Sequence, residues 1–380
     1  MKRVWSAGFI FMSIILLTSA CALGQTTPGG IPPVPTSAAA PATLANSAVQ
    51  ATSVVPAAPA TPTAAPLPGS TLPPTPAKGP ALVEGQRWIA YVDEVTLSAQ
   101  EDVSLENIYK FRINDPNAKP IALTHSTDPS IHYYYPAWSP DGQQIAFEKF
   151  TIIKYHQQVH ELYLMDGNGG NMTKISPALP ANLATGNLLV DMEPAWSPDG
   201  KKIVFASNRA SMPSNPNNYQ IFIMDMSTFA IHPVTNMHGS CETPAWSPDG
   251  KTIAFMSNQT GKYAIWTVDI NGDNLKQVTL EGATDRFPRW SPDGTKIIFH
   301  SDVSGIQELY TIASDSTNLT QLTSGPSANT SAEYSPDGDW IVFQSNRAGT
   351  ESLFTMASDG TQVQQISTGT DENFLGNWQP

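Results

Sequence analysis

The sequence predicts an all-β fold: a six-bladed β-propeller of four-stranded blades, closed by the C-terminal strand and preceded by a disordered Pro/Ala/Thr-rich linker. Three observations predict it. One phrase recurs five times: PAWSPDGQQIAF from Pro136, PAWSPDGKKIVF from Pro194, PAWSPDGKTIAF from Pro244, PRWSPDGTKIIF from Pro288 and AEYSPDGDWIVF from Ala332. The aromatic before each Ser-Pro (Trp138, Trp196, Trp246, Trp290, Tyr334) comes 58, 50, 44 and 44 residues after the last, and 44 more reach Trp378 in GNWQP. An isoleucine run succeeds each turn, at Ile145, Ile203, Ile253, Ile297 and Ile341, and a sixth run, at Ile89 in RWIAYV, has no WSPDG before it. Fixed periods of about 40–50 residues holding several short strands are the mark of a propeller. The first unit lacks an opening strand and the last residues supply a spare one, so the tail completes the first blade.

In chain order, residues 1–21 read as a lipoprotein-type signal: Lys2-Arg3, an apolar stretch, then LLTSAC ending at Cys21, the expected lipidation site. Cleavage after the A-x-A at Ala20–Ala22 is one rival; an uncleaved anchor is the other, since Val4–Leu23 is uncharged and long enough to span a bilayer. Each of the three puts the rest of the chain outside the cytoplasm. Residues 22–81 are rich in Pro, Ala and Thr, with Lys78 the only charge. Such a stretch buries too little apolar surface to fold. At ~3.1 Å per residue, a spacer of about 60 residues reaches at most ~180 Å. Residues 82–380 then form the propeller, a single large domain.

Within a unit, Ser197-Pro198-Asp199-Gly200 has the residues of a type I turn, with proline second and glycine fourth. The turn aspartates Asp141, Asp199, Asp249, Asp293 and Asp337 are explained by turn chemistry and need no catalytic role. After KIVFASNR come YQIFIMDM, a turn, and IHPVTN; later units read YAIWTVDI then LKQVT, and QELYTIAS then LTQLT. These supply a third and a fourth strand. A blade cannot bury its aromatics alone; a closed ring does so and removes free edges.

These units (PxWSPDGxxIxF, the SNR or SD after it, the IFIMD-like strand and the QLT-like strand) resemble the WD40-like repeats of TolB, the extracytoplasmic propeller of the Tol system. Similar units occur in the propellers of prolyl-oligopeptidase-like peptidases. The resemblance covers Leu82 to Pro380. It implies a TolB-like propeller without catalysis that docks a protein or peptide partner in the cell envelope. TolB carries an α/β domain ahead of its propeller, where low-complexity sequence stands here, and the peptidases' hydrolase domain has no counterpart.

Formal charge is −13, or −15 without Lys2 and Arg3, which disfavours nucleic acid and anionic surfaces as partners. Beyond Cys21 only Cys241 remains, so no internal disulfide is expected. A monomer held to the membrane by a lipid anchor, without cofactor, is the expectation. No G-x-S-x-G occurs, and HELYL at His160 lacks the second histidine of a zinc-protease helix. His156, His160 and Glu161 in HQQVHE could share a strand face, but a solvated hairpin loop is the simpler reading. Asp269, Asn271 and Asp273 open like a calcium loop, but Asn274 and Leu280 stand where glycine and glutamate are required, so the stretch reads as a turn. His132 and His238 precede anchors, a thin basis for a metal.

The residues before each anchor are expected to precede the innermost strand and to line one mouth of the channel. Five before stand Tyr133, Asp191, Cys241, Asp285, Asn329 and Asn373; one nearer stand Tyr134, Met192, Glu242, Arg286, Thr330 and Phe374, with Glu193 after Met192. The candidate partner-binding residues are Tyr133, Tyr134, Asp191, Glu193, Glu242, Asp285, Arg286, Asn329 and Asn373. Polar groups with a few aromatics suit a binding mouth, although loop residues before a strand are polar in general. The function expected is a non-catalytic binding scaffold. The alternative is an extracellular carbohydrate- or peptide-acting enzyme or sensor domain with a metal in the mouth.

Overall fold

The computed structural model describes residues 88–98, 103–113, 119–153, 157–177, 189–210, 215, 217–280, 282–367 and 372–380. The signal-type segment, Cys21, the linker and His156 lie outside them. Among the described residues, no helix is long and apolar enough to cross a membrane.

Six four-stranded sheets succeed one another along the chain. The first contains β1 (Trp88–Ser98), β2 (Val103–Arg112) and β3 (Ile121–Ala122). The second runs β4 (Ile131–Trp138), β5 (Gln144–Ile153), β6 (Gln157–Asp166) and β7 (Thr173–Lys174). The third runs β8 (Asp191–Trp196), β9 (Lys202–Ser207), β10 (Gln220–Asp225) and β11 (Ile231–Pro233). The fourth runs β12 (Cys241–Trp246), β13 (Thr252–Ser257), β14 (Ala264–Asp269) and β15 (Lys276–Gln277). The fifth runs β16 (Asp285–Trp290), β17 (Lys296–Ser301), β18 (Glu308–Ala313) and β19 (Thr320–Gln321). The sixth runs β20 (Asn329–Tyr334), β21 (Trp340–Ser345), β22 (Ser352–Ala357) and β23 (Gln364–Gln365). The last strand, β24 (Glu372–Trp378), leaves the sixth unit and pairs antiparallel with β1, Trp378 opposite Ile89. Gln379 N–H donates to Trp88 C=O at 2.9 Å and its side-chain amide to Gly142 C=O at 3.0 Å, carrying the seam on to blade 2. The expected closure is therefore present.

The polar letters of the repeat make the same bonds from blade to blade. The serine hydroxyl of the turn donates to the aspartate two residues on, at 2.6–2.7 Å, in all five WSPDG or YSPDG copies. The turn glycine takes a left-handed φ in each, as at Gly200 with φ 68°. The Asn or Asp of SN or SD accepts the backbone N–H preceding the inner strand: Asn208 from Val190, Asn258 from Ser240, Asp302 from Thr284, Asn346 from Ala328. Outer strands are only two or three residues long, and a hydroxyl completes the ladder beyond them. Thr124, Ser176, Thr235, Thr279, Thr323 and Ser367 each accept the N–H of a third-strand residue at 2.8–3.0 Å. Calcium-loop-like Asp269 to Asp273 is the β14–β15 turn, with Gly272 N–H on Asp269 C=O at 2.8 Å.

The core lies between blades. The six run-opening isoleucines, from Ile89 to Ile341, are all fully buried. Phe147, Phe205, Phe255, Phe299 and Phe343, two residues further along, are among the largest fully buried side chains. Most meet an aromatic ring on the third strand, as Phe299 meets Tyr310 at 6.0 Å. Anchor rings reach the neighbouring blade, where Trp246 Nε1–H donates to Ala195 C=O and Trp378 Nε1–H to Glu333 C=O.

One expectation is corrected. The residues before each anchor do not precede the innermost strand; they are its first residues. Proline lacks a ladder donor and is an obstacle inside a strand. A bulge removes the obstacle. Register shifts between Tyr134 and Ala137, Met192 and Ala195, Glu242 and Ala245, and Arg286 and Arg289, so each proline stands outside the ladder.

Candidate functional site: the axial ring

The bulge places one residue per blade in the left-handed region, three before each anchor. These are Tyr135 (φ 52°), Glu193 (58°), Thr243 (51°), Phe287 (55°), Ser331 (49°) and Leu375 (57°). None is glycine, and left-handed backbone is unfavourable for bulky side chains. The conformation turns the side chain out of the strand's alternation. Tyr135 and Phe287, from blades opposite in a ring of six, stack at 6.4 Å with ring planes 16° apart. They meet across the axis and bridge it. The aromatic line continues through Tyr134 on one side and His300 on the other.

Beside the bridge, three glutamates from consecutive blades converge. Glu148 on β5 lies opposite Tyr134, one residue nearer the strand start than Tyr135. It accepts His160 Nδ1–H at 2.6 Å and the backbone N–H of Glu193 at 3.3 Å. Glu193 accepts the backbone N–H of Thr243 at 2.5 Å. Glu242 accepts the Tyr263 hydroxyl at 2.8 Å, while its Oε2 has no hydrogen-bond partner. Glu148, Glu193 and Glu242 are all buried. Burial, reinforced by Glu242 and Glu148, holds Glu193 well above the ordinary carboxylate range against the Thr243 N–H and Arg289. Burial pushes Glu242 up to about 7, against Ser240, Tyr263 and Arg286. The Tyr135 hydroxyl is driven well up by burial and then by Glu193, Glu148 and Glu242. Arg286 lies over the Tyr263 ring at 5.2 Å. Arg289 stands 3.9 Å from Glu333, whose carboxylate also accepts both bonds of the Asn377 amide.

The residues singled out in the sequence divide sharply. Glu193 and Glu242 stand at the axis, with Arg286 next to Glu242 through Tyr263. Tyr134 is buried among Val92, Phe150 and Phe374. Tyr133 is buried with Phe147 and Trp138. Asp191 is fully buried and bonded to Ser207 and Arg209, the arginine of SNR, whose Nη2 lies at 2.6 Å. Asn329 accepts Arg347 at 2.6 Å and donates to Glu308 at 2.8 Å. Asp285 is buried and Asn373 donates to Asp93 at 2.5 Å. The positions five before the anchor thus tie strands together inside the wall. His160 pairs with Glu148, and His132 is buried against Glu106. Among the described residues no group of three His, Cys, Asp or Glu is placed to hold a metal ion.

Sequence reasoning passed over Glu148, Phe287 and Tyr263, and left Tyr135, next to Tyr133 and Tyr134, off the candidate list. The signal for Glu148 was present: IAFEK carries glutamate where the other copies have Ala206, Met256, His300 and Gln344.

A family profile described as the TolB beta propeller domain matches residues 214–318 and 303–380. No curated protein sequence matches the chain. Among solved structures, TolB from Acinetobacter baumannii is similar at 24% identity and TM-score 0.59, over 78% of this chain and 67% of that one. A putative TolB from Agrobacterium tumefaciens is similar at 18% identity and TM-score 0.55, over 77% and 91%. A chain of a nidogen/laminin complex reaches TM-score 0.56 at 9% identity, over 77% and 98%. At these identities the likeness is one of fold. The profile match makes the repeats of residues 214–380 similar to the TolB beta propeller domain, and the six closed blades make the described part of this chain a six-bladed β-propeller.

Proposed function

We propose that this propeller is a non-catalytic scaffold that docks a protein or peptide in the cell envelope, held outside the cytoplasm by a lipid on Cys21 and the spacer 22–81. The observation carrying the reading is where the blades stop being alike. The first two strands after the inner strand have six residues in blades 3 to 6, whereas β1–β2 and β5–β6 have ten or eleven. The repeated letters are consumed by turns, ladders and blade contacts. The extra length is not, and it ends in apolar residues that face solvent, Leu97 at 54% and Ile153 at 40% exposed. Singly exposed apolar residues are ordinary; two on neighbouring lengthened hairpins give a partner an anchor. The similarity to two TolB propellers agrees with an extracytoplasmic docking role.

The test is capture of partners from solubilised envelope by the full chain and by a Leu97→Asp/Ile153→Asp variant. Loss of a specific partner from a variant that melts like the parent supports docking at the hairpins. An unchanged partner set overturns that location. Tyr133, Tyr134 and Asp285 are unsuitable probes, because all three are buried and their removal tests folding.

A further inference from the structure

We propose that the axial cup beside the Tyr135–Phe287 bridge binds an organic cation, the ammonium or guanidinium group of a basic side chain on the docked peptide. Only the source of that cation rests on the proposed docking role; the site itself stands on its own geometry.

The cup has a floor and a wall. The stacked Tyr135 and Phe287 rings are the floor. Glu148 and Glu242 stand one residue nearer the strand starts and, with Glu193, form an acidic wall across blades 2, 3 and 4. Tyr135, Tyr263 and Arg286 at the cup keep part of their surface exposed. Four carboxyl groups (Glu148, Glu193, Glu242, Glu333) outnumber the two guanidinium groups (Arg286, Arg289) there. Arg289 is shared between Glu193 and Glu333.

Glu242 points to a ligand by itself. It is fully buried, one oxygen is held by Tyr263, and Oε2 has no hydrogen-bond partner. A buried carboxylate oxygen left unpaired is costly, and a donor placed there recovers that cost. Among the described residues no group of three His, Cys, Asp or Glu is placed to hold a metal ion, and the groups beside Glu242 are aromatic rings. Carboxylates beside aromatic faces suit a larger, softer cation, held by charge on one side and by ring quadrupoles on the other. Arg286 over Tyr263 already shows a guanidinium on a ring of this wall.

Titration calorimetry at pH 7.5 tests this with arginine amide and lysine amide as probes, and citrulline amide as the neutral control. Saturable binding of a cationic amide by the full chain is expected, at least tenfold weaker in Glu242→Gln and in Glu193→Gln. Binding should release protons, seen as a heat that changes with buffer ionisation enthalpy, because a cation replaces protons held by these carboxylates. No saturable binding of either cationic amide, equal binding of citrulline amide, or unaltered binding in both folded variants overturns the site. Envelope capture by Glu242→Gln separates the two proposals. If the amides fail to bind while partners are still captured, the cation site falls and docking stands. If the amides bind while the hairpin variant keeps its partners, docking at the hairpins falls and the cation site stands.

Discussion

At the scale of single residues, the repeat is a set of hydrogen bonds written in side chains. The threonine of QVT illustrates it. Thr279 lies two residues beyond a two-residue outer strand, and its hydroxyl accepts the Ile265 N–H at 3.0 Å in a buried site. Without the oxygen, that N–H is orphaned, at a cost of about 1–3 kcal/mol. Thr279→Val should therefore lower stability by about 1–2 kcal/mol in denaturant titration, while Thr279→Ser, which keeps the acceptor, should lose much less. The turn aspartate and glycine were legible in the sequence because their chemistry is local, within four residues. The hydroxyl and the SN asparagine were visible as repeated letters but not as bonds, since their partners stand 14 to 18 residues away.

At the scale of the strand, the bulge decides which side chains meet at the axis. A plain strand would send alternate residues into the two flanking blade contacts. The left-handed residue breaks that alternation and brings a third set together. This is why the axial ring was only partly legible. Glu193 and Glu242 were found by counting back from the anchor, but Tyr135 and Phe287 were not, because no local pattern announces a left-handed tyrosine before proline. The strain has a measurable sign. Ser331 (φ 49°) is partly exposed. Ser331→Val puts a β-branched side chain in left-handed backbone and should destabilise the protein by about 1–2 kcal/mol. Ser331→Gly, which has no such penalty but loses backbone entropy, should fall within about 1 kcal/mol of the parent. If valine were as well tolerated as glycine, the bulge conformation would be wrong.

At the scale of the whole ring, closure and charge act together. The six-blade count was legible because the aromatic period runs to Trp378, and a unit with no inner strand of its own needs the tail. Removing residues 373–380 strips blade 1 of β24 and exposes the faces of Ile89 and Val342, both fully buried. Such a truncation should melt well below the parent, in a scanning calorimeter, because a ring with an open seam loses two blade contacts at once. The carboxylates give the intact ring an uncommon pH dependence. Glu242 rises from its usual 4.5 to about 7 by burial, and Glu193 is raised as well. Between those values these two groups hold protons in the folded protein that the unfolded chain has released, so their contribution to stability falls as pH climbs from about 4.5 through 7. The turn aspartates act oppositely: hydrogen bonds from the turn serines lower Asp141 and Asp199, whose stabilisation is present above the usual 3.8 and lost as pH falls below it. Their transition is complete by pH 5, but burial lowers His132 to about 4 and His300 to about 3 from the usual 6.5, so both add stability as pH climbs towards 6.5, and the axial glutamates set the slope only from about pH 6.5 to 7.5. The melting temperature should fall across that range. Glu242→Gln keeps the shape and removes one titrating group, so its curve should be flatter and should lie above the parent's at pH 7.5. On the order of 3 kcal/mol separates a carboxyl at 4.5 from one near 7, large enough that a pair of superimposable melting curves would rule out a raised carboxyl at Glu242.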